Sequence, residues 1–76
     1  MEEKILDILE ELCETDEVRD DLDADLFDSG LLDSLSFAEL LYAIESNFNV
    51  IIAPSEIERS DINTANKIIS LVKERI

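Results

Sequence analysis

The chain contains no histidine and no tryptophan, and only one cysteine, one glycine and one proline. Without histidine a Ser-His-acid triad is excluded, and one cysteine cannot supply the sulfur and imidazole ligands of a zinc site. That single cysteine, Cys13, also excludes an internal disulfide and is typical of a reducing compartment. A lone glycine, Gly30, forms neither a phosphate-binding loop nor a dinucleotide-binding fingerprint. We therefore expect no catalytic residue and no metal ligand.

Positive charge is also scarce, because six Lys and Arg residues stand against twenty Asp and Glu residues, for a net charge of −14. Such a surface repels phosphate backbones and anionic lipids, so nucleic-acid binding and membrane binding are disfavoured. It attracts basic patches on other proteins, chiefly by speeding encounter and correct docking. The charge therefore predicts protein partners, and solubility alone is the alternative explanation of the same acidity.

Long apolar runs are missing as well, the longest being the five residues from Leu40 to Ile44. No segment is long enough to span a bilayer, and Met1-Glu2-Glu3 lacks the basic residues that open a signal peptide. We expect a cytoplasmic protein without direct membrane insertion. Because 46% of its 76 residues are hydrophobic, the chain has enough apolar material for one modest core. The sequence predicts a single domain over residues 1–76, acting as a monomer.

Apolar residues recur at the spacing of a helix in three segments. The first segment ends at about residue 14, the second extends from Ser34 or Leu35 to Phe48, and the third follows Thr64, a suitable N-cap. The predicted buried stripes are Ile5, Ile8, Leu9, Leu12 and Cys13; then Phe37, Leu40, Leu41, Ile44 and Phe48; and last Ala65, Ile68, Ile69, Val72 and Ile76. Pro54 starts a turn or a brief helix through Glu58. The predicted fold is all-α, a small four-helix bundle of three main helices and one short helix.

A loop of nineteen residues, Thr15 to Asp33, separates the first two helices, and a loop this long in so small a domain is usually functional. Its alternating carboxylates, from Asp21 onward, are similar to the start of a calcium loop. Leu26 and Leu32, however, occupy the positions where an EF-hand needs glycine and glutamate. No specific metal site is expected. We expect the apolar residues of the loop to pack on the core: Val18, Leu22, Leu26, Phe27, Leu31 and Leu32.

Ser34 lies at the end of this loop, where the second helix is predicted to begin. The partial positive charge and the free backbone N–H groups of a helix N-terminus favour a phosphodiester there. A serine at a helix start is more often simply an N-cap. Asp33 can cap the helix instead and leave the Ser34 hydroxyl facing solvent. The position favours an attachment point used by other proteins, with N-capping as the alternative.

The second helix also has a polar face on which a leucine and a tyrosine recur at helical spacing. Its residues are Leu35, Ala38, Glu39, Tyr42 and Ser46. Apolar and aromatic side chains beside glutamates suit a docking surface. Ordinary surface with two isolated apolar residues is the alternative.

The tripeptide Asp33-Ser34-Leu35, placed at a helix start after a long loop, resembles the phosphopantetheine attachment motif of acyl and peptidyl carrier proteins. The stretches 26–34, 58–61 and 63–68 are most similar to the branch of that family that carries D-alanine in Gram-positive bacteria. The resemblance covers the whole chain. It implies a carrier rather than an enzyme, with 4′-phosphopantetheine bound covalently to Ser34 and with Asp33 and Leu35 beside it.

The resemblance also implies the partners. A phosphopantetheinyl transferase attaches the arm, a D-alanine–carrier protein ligase loads D-alanine as a thioester, and membrane-bound enzymes pass it on to lipoteichoic acid of the cell wall. The partner-contacting face of the family corresponds to Leu35, Ala38, Glu39 and Tyr42. A carrier of fatty-acid, polyketide or other aminoacyl cargo is the alternative within the family. Outside it, an acidic helical adaptor or a mimic of nucleic acid remains.

Overall fold

The structure is a computed structural model that describes residues 2–76, apart from the side chains of Pro54 and Arg59. Three α-helices form most of it: α1 is Glu2–Cys13, α2 is Ser34–Phe48 and α3 is Ala65–Arg75. Short 3₁₀ helices lie at Asp16–Arg19, Pro54–Glu56 and Arg59–Asp61. Residues 2–76 contain no strand, which confirms the all-α prediction. None of the described helices has the length and apolarity needed to cross a membrane.

The helix ends follow from local chemistry. Thr64 caps α3 as predicted, since its side-chain oxygen accepts the N–H of Lys67 at 3.1 Å. The helix α1 ends before Glu14 and α2 ends before Asn49, and both residues have left-handed backbone, with φ of 57° and 60°. The N–H of Asn49 donates to the carbonyl of Glu45 at 2.9 Å and closes the last turn of α2.

The short helix predicted between α2 and α3 is a 3₁₀ helix, Pro54–Glu56, and a second 3₁₀ helix follows at Arg59–Asp61. In each of them a carboxylate side chain accepts the backbone N–H of the residue three positions earlier. The carboxylate of Glu56 accepts the N–H of Ala53 at 3.3 Å, and that of Asp61 accepts the N–H of Glu58 at 2.8 Å. Between the two turns Ile57 has extended backbone, with φ of −133° and ψ of 157°, so the segment folds as separate turns rather than as one α-helix.

The core draws on all three α-helices and on the connections between them, and α1 packs against both α2 and α3. Apolar loop residues contribute as expected. Val18, Leu26 and Leu32 are buried, while Leu22, Phe27 and Leu31 are half-buried and pack against the core. The largest side chains with less than 2% of their surface exposed are Ile5, Leu9, Leu26, Leu40, Ile44, Ile62, Ile68, Val18 and Val72.

The predicted buried stripes are wrong at their ends. Ile76 is 66% exposed, because α3 ends at Arg75 and no neighbouring element covers the residue beyond it. Phe37 and Phe48, in the first and last turns of α2, are only half-buried, and so are Leu12 and Cys13 at the end of α1. The ring of Phe37 meets that of Phe27 edge to face, with centroids 6.1 Å apart.

Arg19 holds the start of the long loop against α1. Its guanidinium pairs with Glu10 at 3.0 Å, with Glu3 at 3.2 Å and with Asp7. These three acids share one face of α1 because they are four and three residues apart. The hydrogen bond to Glu10 is the main reason that the pKa of Arg19 is raised. The sequence analysis did not predict this cluster.

Removing core volume from α2 should destabilise the fold far more than removing it from the surface. Leu40 has no exposed surface, so Leu40→Ala should lower the free energy of unfolding by about 2–5 kcal/mol. Ile51 is 72% exposed, so Ile51→Ala is the control and should change it by about 0.5 kcal/mol or less. Urea denaturation followed by circular dichroism measures both. Equal losses in the two variants would contradict this core assignment.

Candidate functional site

Ser34 is the first residue of α2, and its side chain is exposed. The N-cap is Asp33, which has extended backbone and accepts the N–H of Ser36 through Oδ1 at 2.9 Å. The carbonyl of Asp33 accepts the N–H of Phe37 at 2.8 Å and so begins the helical ladder. The prediction that Asp33 caps this helix and leaves Ser34 on the surface is confirmed.

The electrostatics of this helix start favour negative charge. The pKa of Asp33 is lowered, first by the backbone hydrogen bond from Ser36 and further by that residue's side chain. The helix dipole acts in the same direction, because it places partial positive charge at the N-terminus. A phosphodiester on the adjacent Ser34 meets the same favourable field.

The turn that leads into the site closes around one carbonyl group. The carbonyl of Leu26 accepts the N–H groups of Leu31 and Leu32, each at 3.0 Å, and the hydroxyl of Ser29 at 3.2 Å. Gly30 lies within the turn with φ of +80°, a backbone conformation that residues with a side chain rarely adopt. The chain's one glycine therefore stands where the turn requires it. Because Leu26 and Leu32 are both buried, the two ends of the turn are fixed in the core.

The same turn is attached to the segment that precedes α3. The N–H of Leu26 donates to the carbonyl of Asn63 at 2.7 Å, and the N–H of Asn66 donates to the carbonyl of Leu22 at 3.0 Å. Two side-chain contacts lie beside these bonds. The Asn63 amide donates to Asp25 at 2.9 Å, and the Asn66 amide donates to Asp23 at 2.7 Å. The loop is thus held by residues far away in the sequence.

Asp25 joins both parts of this arrangement. Its Oδ1 accepts the N–H groups of Phe27 and Asp28, each at 2.9 Å, while its Oδ2 accepts the amide of Asn63. These bonds lower its pKa, the N–H of Asp28 contributing most. Asp25 is one of the alternating carboxylates whose spacing is similar to the start of a calcium loop. Within residues 2–76, no group of three or more His, Cys, Asp or Glu side chains is arranged to hold a metal.

The polar face of α2 is exposed as predicted. Leu35 is 70% exposed and Tyr42 is 64% exposed, and Ala38 and Glu39 lie exposed between them. Their spacing of three and four residues puts all four on one side of the helix. The face begins beside Ser34. Its role in binding partners stays a prediction.

An open groove of about 950 Å³ lies elsewhere, between the long loop and α3. Polar and charged side chains dominate its lining, among them Asp25, Asn63, Lys67 and Arg75. No residue of α2 lines it, so it is separate from the Ser34 hydroxyl. Ser34 therefore lies on an open surface rather than within this groove.

Residues 3–72 match the protein family described as the phosphopantetheine attachment site. The chain belongs to the phosphopantetheine attachment site family. A D-alanyl carrier protein of Abiotrophia defectiva is 47% identical over 76 residues, which cover 100% of this chain and 96% of that protein. A D-alanyl carrier protein of Streptococcus suis (strain 05ZYH33) is 51% identical over 74 residues, 97% of this chain and 92% of that protein. A D-alanyl carrier protein of Lactococcus lactis subsp. cremoris (strain MG1363) is 48% identical over 75 residues, which cover 99% of this chain and 95% of that protein.

Membership of the phosphopantetheine attachment site family confirms the resemblance read from the motif around Ser34. The chemistry of the site fits the group. An exposed hydroxyl can form the phosphodiester, and the first turn of α2 provides the positive end of a helix dipole beside it. Asn63 and Asn66 belong to the stretch 63–68 that carries the resemblance, but their contacts with Asp25 and Asp23 were not predicted. These partners lie 38 and 43 residues away, and only the fold brings them together.

The charge of the Asp33 cap makes part of the stability depend on pH. A carboxyl with a lowered folded pKa stabilises the fold above its unfolded pKa of about 3.9, and this contribution is lost as the pH falls through the folded value. Asn caps helices about as well as Asp but does not titrate. The stability advantage of the wild type over Asp33→Asn should therefore shrink as the pH falls below about 4.

Urea denaturation between about pH 6 and about pH 3 measures this difference. Asp33→Ala, which lacks any capping oxygen, should be less stable than Asp33→Asn at the upper end of that range. Parallel stability curves for the wild type and Asp33→Asn would show that the carboxylate charge of Asp33 does not stabilise the cap.

Proposed function

We propose that residues 1–76 form a single carrier domain that holds D-alanine as a thioester and delivers it for D-alanylation of lipoteichoic acid. The group that bears the cargo is 4′-phosphopantetheine, attached to Ser34 Oγ, and its terminal thiol supplies the thioester. The observation that carries the proposal is the exposed hydroxyl on the first residue of α2, capped by Asp33. The full-length relatives named D-alanyl carrier protein support the choice of cargo.

The chain's own part in attachment is to present the Ser34 hydroxyl. This oxygen attacks the phosphorus that bears pantetheine in coenzyme A; an O–P bond forms, and the adenosine bisphosphate leaves. The neighbouring carboxylate is a poor base for this step. Asp33 has a lowered pKa, and its Oδ1 is engaged with the N–H of Ser36. The transferase therefore supplies the base, and we propose that the chain is not itself an enzyme.

The partner surface that we propose is the exposed face of α2, formed by Leu35, Ala38, Glu39 and Tyr42. It suits the phosphopantetheinyl transferase, the D-alanine–carrier protein ligase and the membrane-bound D-alanyl transfer machinery. The charge of −14 favours partners with basic patches around their active sites. Two large side chains among acids supply apolar contact within this acidic surface. We propose a cytoplasmic monomer that meets these partners in turn.

Intact-protein mass spectrometry tests the attachment. Incubation of the chain with coenzyme A and a phosphopantetheinyl transferase should add one phosphopantetheine per chain. Ser34→Ala should abolish the adduct, because it removes the accepting oxygen. Ser70→Ala, which removes an exposed hydroxyl from α3, is the control and should be modified like the wild type. An adduct that survives Ser34→Ala would refute the proposed site.

The cargo is tested on the modified protein. With ATP, D-alanine and the ligase, the modified chain should gain one D-alanyl group that hydroxylamine releases, as expected for a thioester. The matched reaction offers a fatty acyl donor with an acyl transferase. Loading in the second reaction alone would reassign the chain to fatty acyl cargo.

The partner face is tested by two substitutions on α2 that leave Ser34 in place. Glu39→Lys and Tyr42→Ala should each lower kcat/KM for D-alanine loading by about fivefold or more, as truncation of an interface hot spot does. Both positions are exposed, so helicity should be unchanged. Glu74→Lys makes the same charge change on the exposed surface of α3 and should load normally. Wild-type loading by both α2 variants would exclude this face.

A further inference from the structure

We propose that the contact between the Asp25 carboxylate and the Asn63 amide positions Ser34 for attachment of phosphopantetheine. This inference rests on the proposed function of Ser34. Asp25 Oδ2 accepts the amide of Asn63 at 2.9 Å, across 38 residues of sequence. Its Oδ1 accepts the N–H groups of Phe27 and Asp28, each at 2.9 Å. One carboxylate therefore ties the turn ahead of the site to the body of the protein.

Hydrogen bonds carry this link on to the site. Leu26, which follows Asp25, accepts the N–H groups of Leu31 and Leu32 through its carbonyl. Leu32 is directly followed by Asp33, the N-cap of α2, and then by Ser34. Because the turn from Leu26 to Leu32 is short and buried at both ends, it moves as a unit, and a displacement at Asp25 changes the direction in which the chain enters α2.

The other side of the contact is equally well placed. Asn63 directly precedes Thr64, the N-cap of α3, whose side-chain oxygen accepts the N–H of Lys67. The Asp25–Asn63 contact thus joins the segments that lead into α2 and α3. Of these two helices, α3 holds the contact in place, because it is anchored in the core. Ile68, in the first turns of α3, is fully buried.

The orientation of the Asn63 amide depends on the charge of Asp25. The Oδ1 of Asn63 is buried and has no hydrogen-bond partner among the described residues. A buried acceptor without a donor carries a free-energy cost. The opposite orientation would bring this oxygen against the Asp25 carboxylate, which is held ionised by hydrogen bonds that lower its pKa. The contact with a charged acceptor therefore determines which way the amide faces.

Loss of the contact should leave the fold in place. The backbone bonds from Leu26 to Asn63 and from Asn66 to Leu22 do not involve these side chains, and Leu26 stays buried. The exposed face of α2 is likewise unchanged. The contact therefore contributes alignment of the Ser34 hydroxyl rather than docking of the partner, and its loss should lower kcat more than it raises KM.

The test compares apo variants in steady-state transfer from coenzyme A by a phosphopantetheinyl transferase. Asn63→Asp places two carboxylates together and should lower kcat by about 10- to 100-fold, the scale of a misplaced reacting group, with KM little changed. The exchange Asp25→Asn/Asn63→Asp restores one donor and one carboxylate and should recover part of the lost kcat, because its second carboxylate oxygen takes the buried place of Asn63 Oδ1, which has no donor. Asn66→Asp, the control, adds the same charge opposite Asp23 in the exposed pair and should react normally.

Circular dichroism and urea denaturation check that each variant is folded. If Asn63→Asp loses helicity, Asn63→Ala replaces it, since this change removes the donor without adding charge and should still lower kcat. Wild-type kcat in the folded Asn63 variant, or an exchange variant that reacts no faster than Asn63→Asp, would overturn the inference. Failure of the wild type to be modified would instead refute the proposed function of Ser34.

Discussion

The hydrogen bond from the N–H of Leu26 to the carbonyl of Asn63, 2.7 Å long, fixes a loop that has little regular structure of its own. The buried side chain of Leu26 lies at the same point, so that polar and apolar contacts hold one residue in place. From there the turn through Gly30 leads directly to Asp33 and the start of α2. The turn that leads to Ser34 is thus tied, outside α2, to the residues that precede α3.

Acidic residues far outnumber cations in this chain, and the structure uses many of them as acceptors for backbone N–H groups. Asp33 accepts from Ser36, Asp25 from two residues of its turn, and Asp61 from Glu58. A carboxylate satisfied in this way needs no cation, and at a helix N-terminus the dipole adds to its stabilisation. Other acids pair with cations: three acids of α1 with the guanidinium of Arg19, Glu56 with Arg75 and Glu2 with Lys73. The acids on the exposed face of α2 remain directed to solvent, where the proposed partners approach.

Sequence reasoning succeeded where the deciding interaction is local. Helical spacing located α1, α2 and α3, and the capping roles of Asp33 and Thr64 follow from their own side chains. It failed where the partner is distant or where burial depends on neighbouring elements. The contacts of Asn63 and Arg19 join residues brought together only by the fold, and the half-burial of Phe37 depends on how much of the loop covers the first turn of α2. The place of Ser34 at the start of α2 was predictable, but the long-range contacts of the turn before it were not.

A carrier must offer the same reactive point to partners of different structure, and the geometry of α2 meets this need in a simple way. Ser34 and the exposed face share one rigid helix, in which Tyr42 lies about 12 Å along the axis from Ser34 at 1.5 Å per residue. A partner that contacts Leu35 and Tyr42 therefore finds the hydroxyl at a fixed distance and direction. That relation holds only if the first turn of α2 keeps its shape, which the Asp33 cap and the buried Leu32 secure. In this proposal, recognition and alignment thus depend on separate sets of residues, one on the surface of α2 and the other in the loop that precedes it.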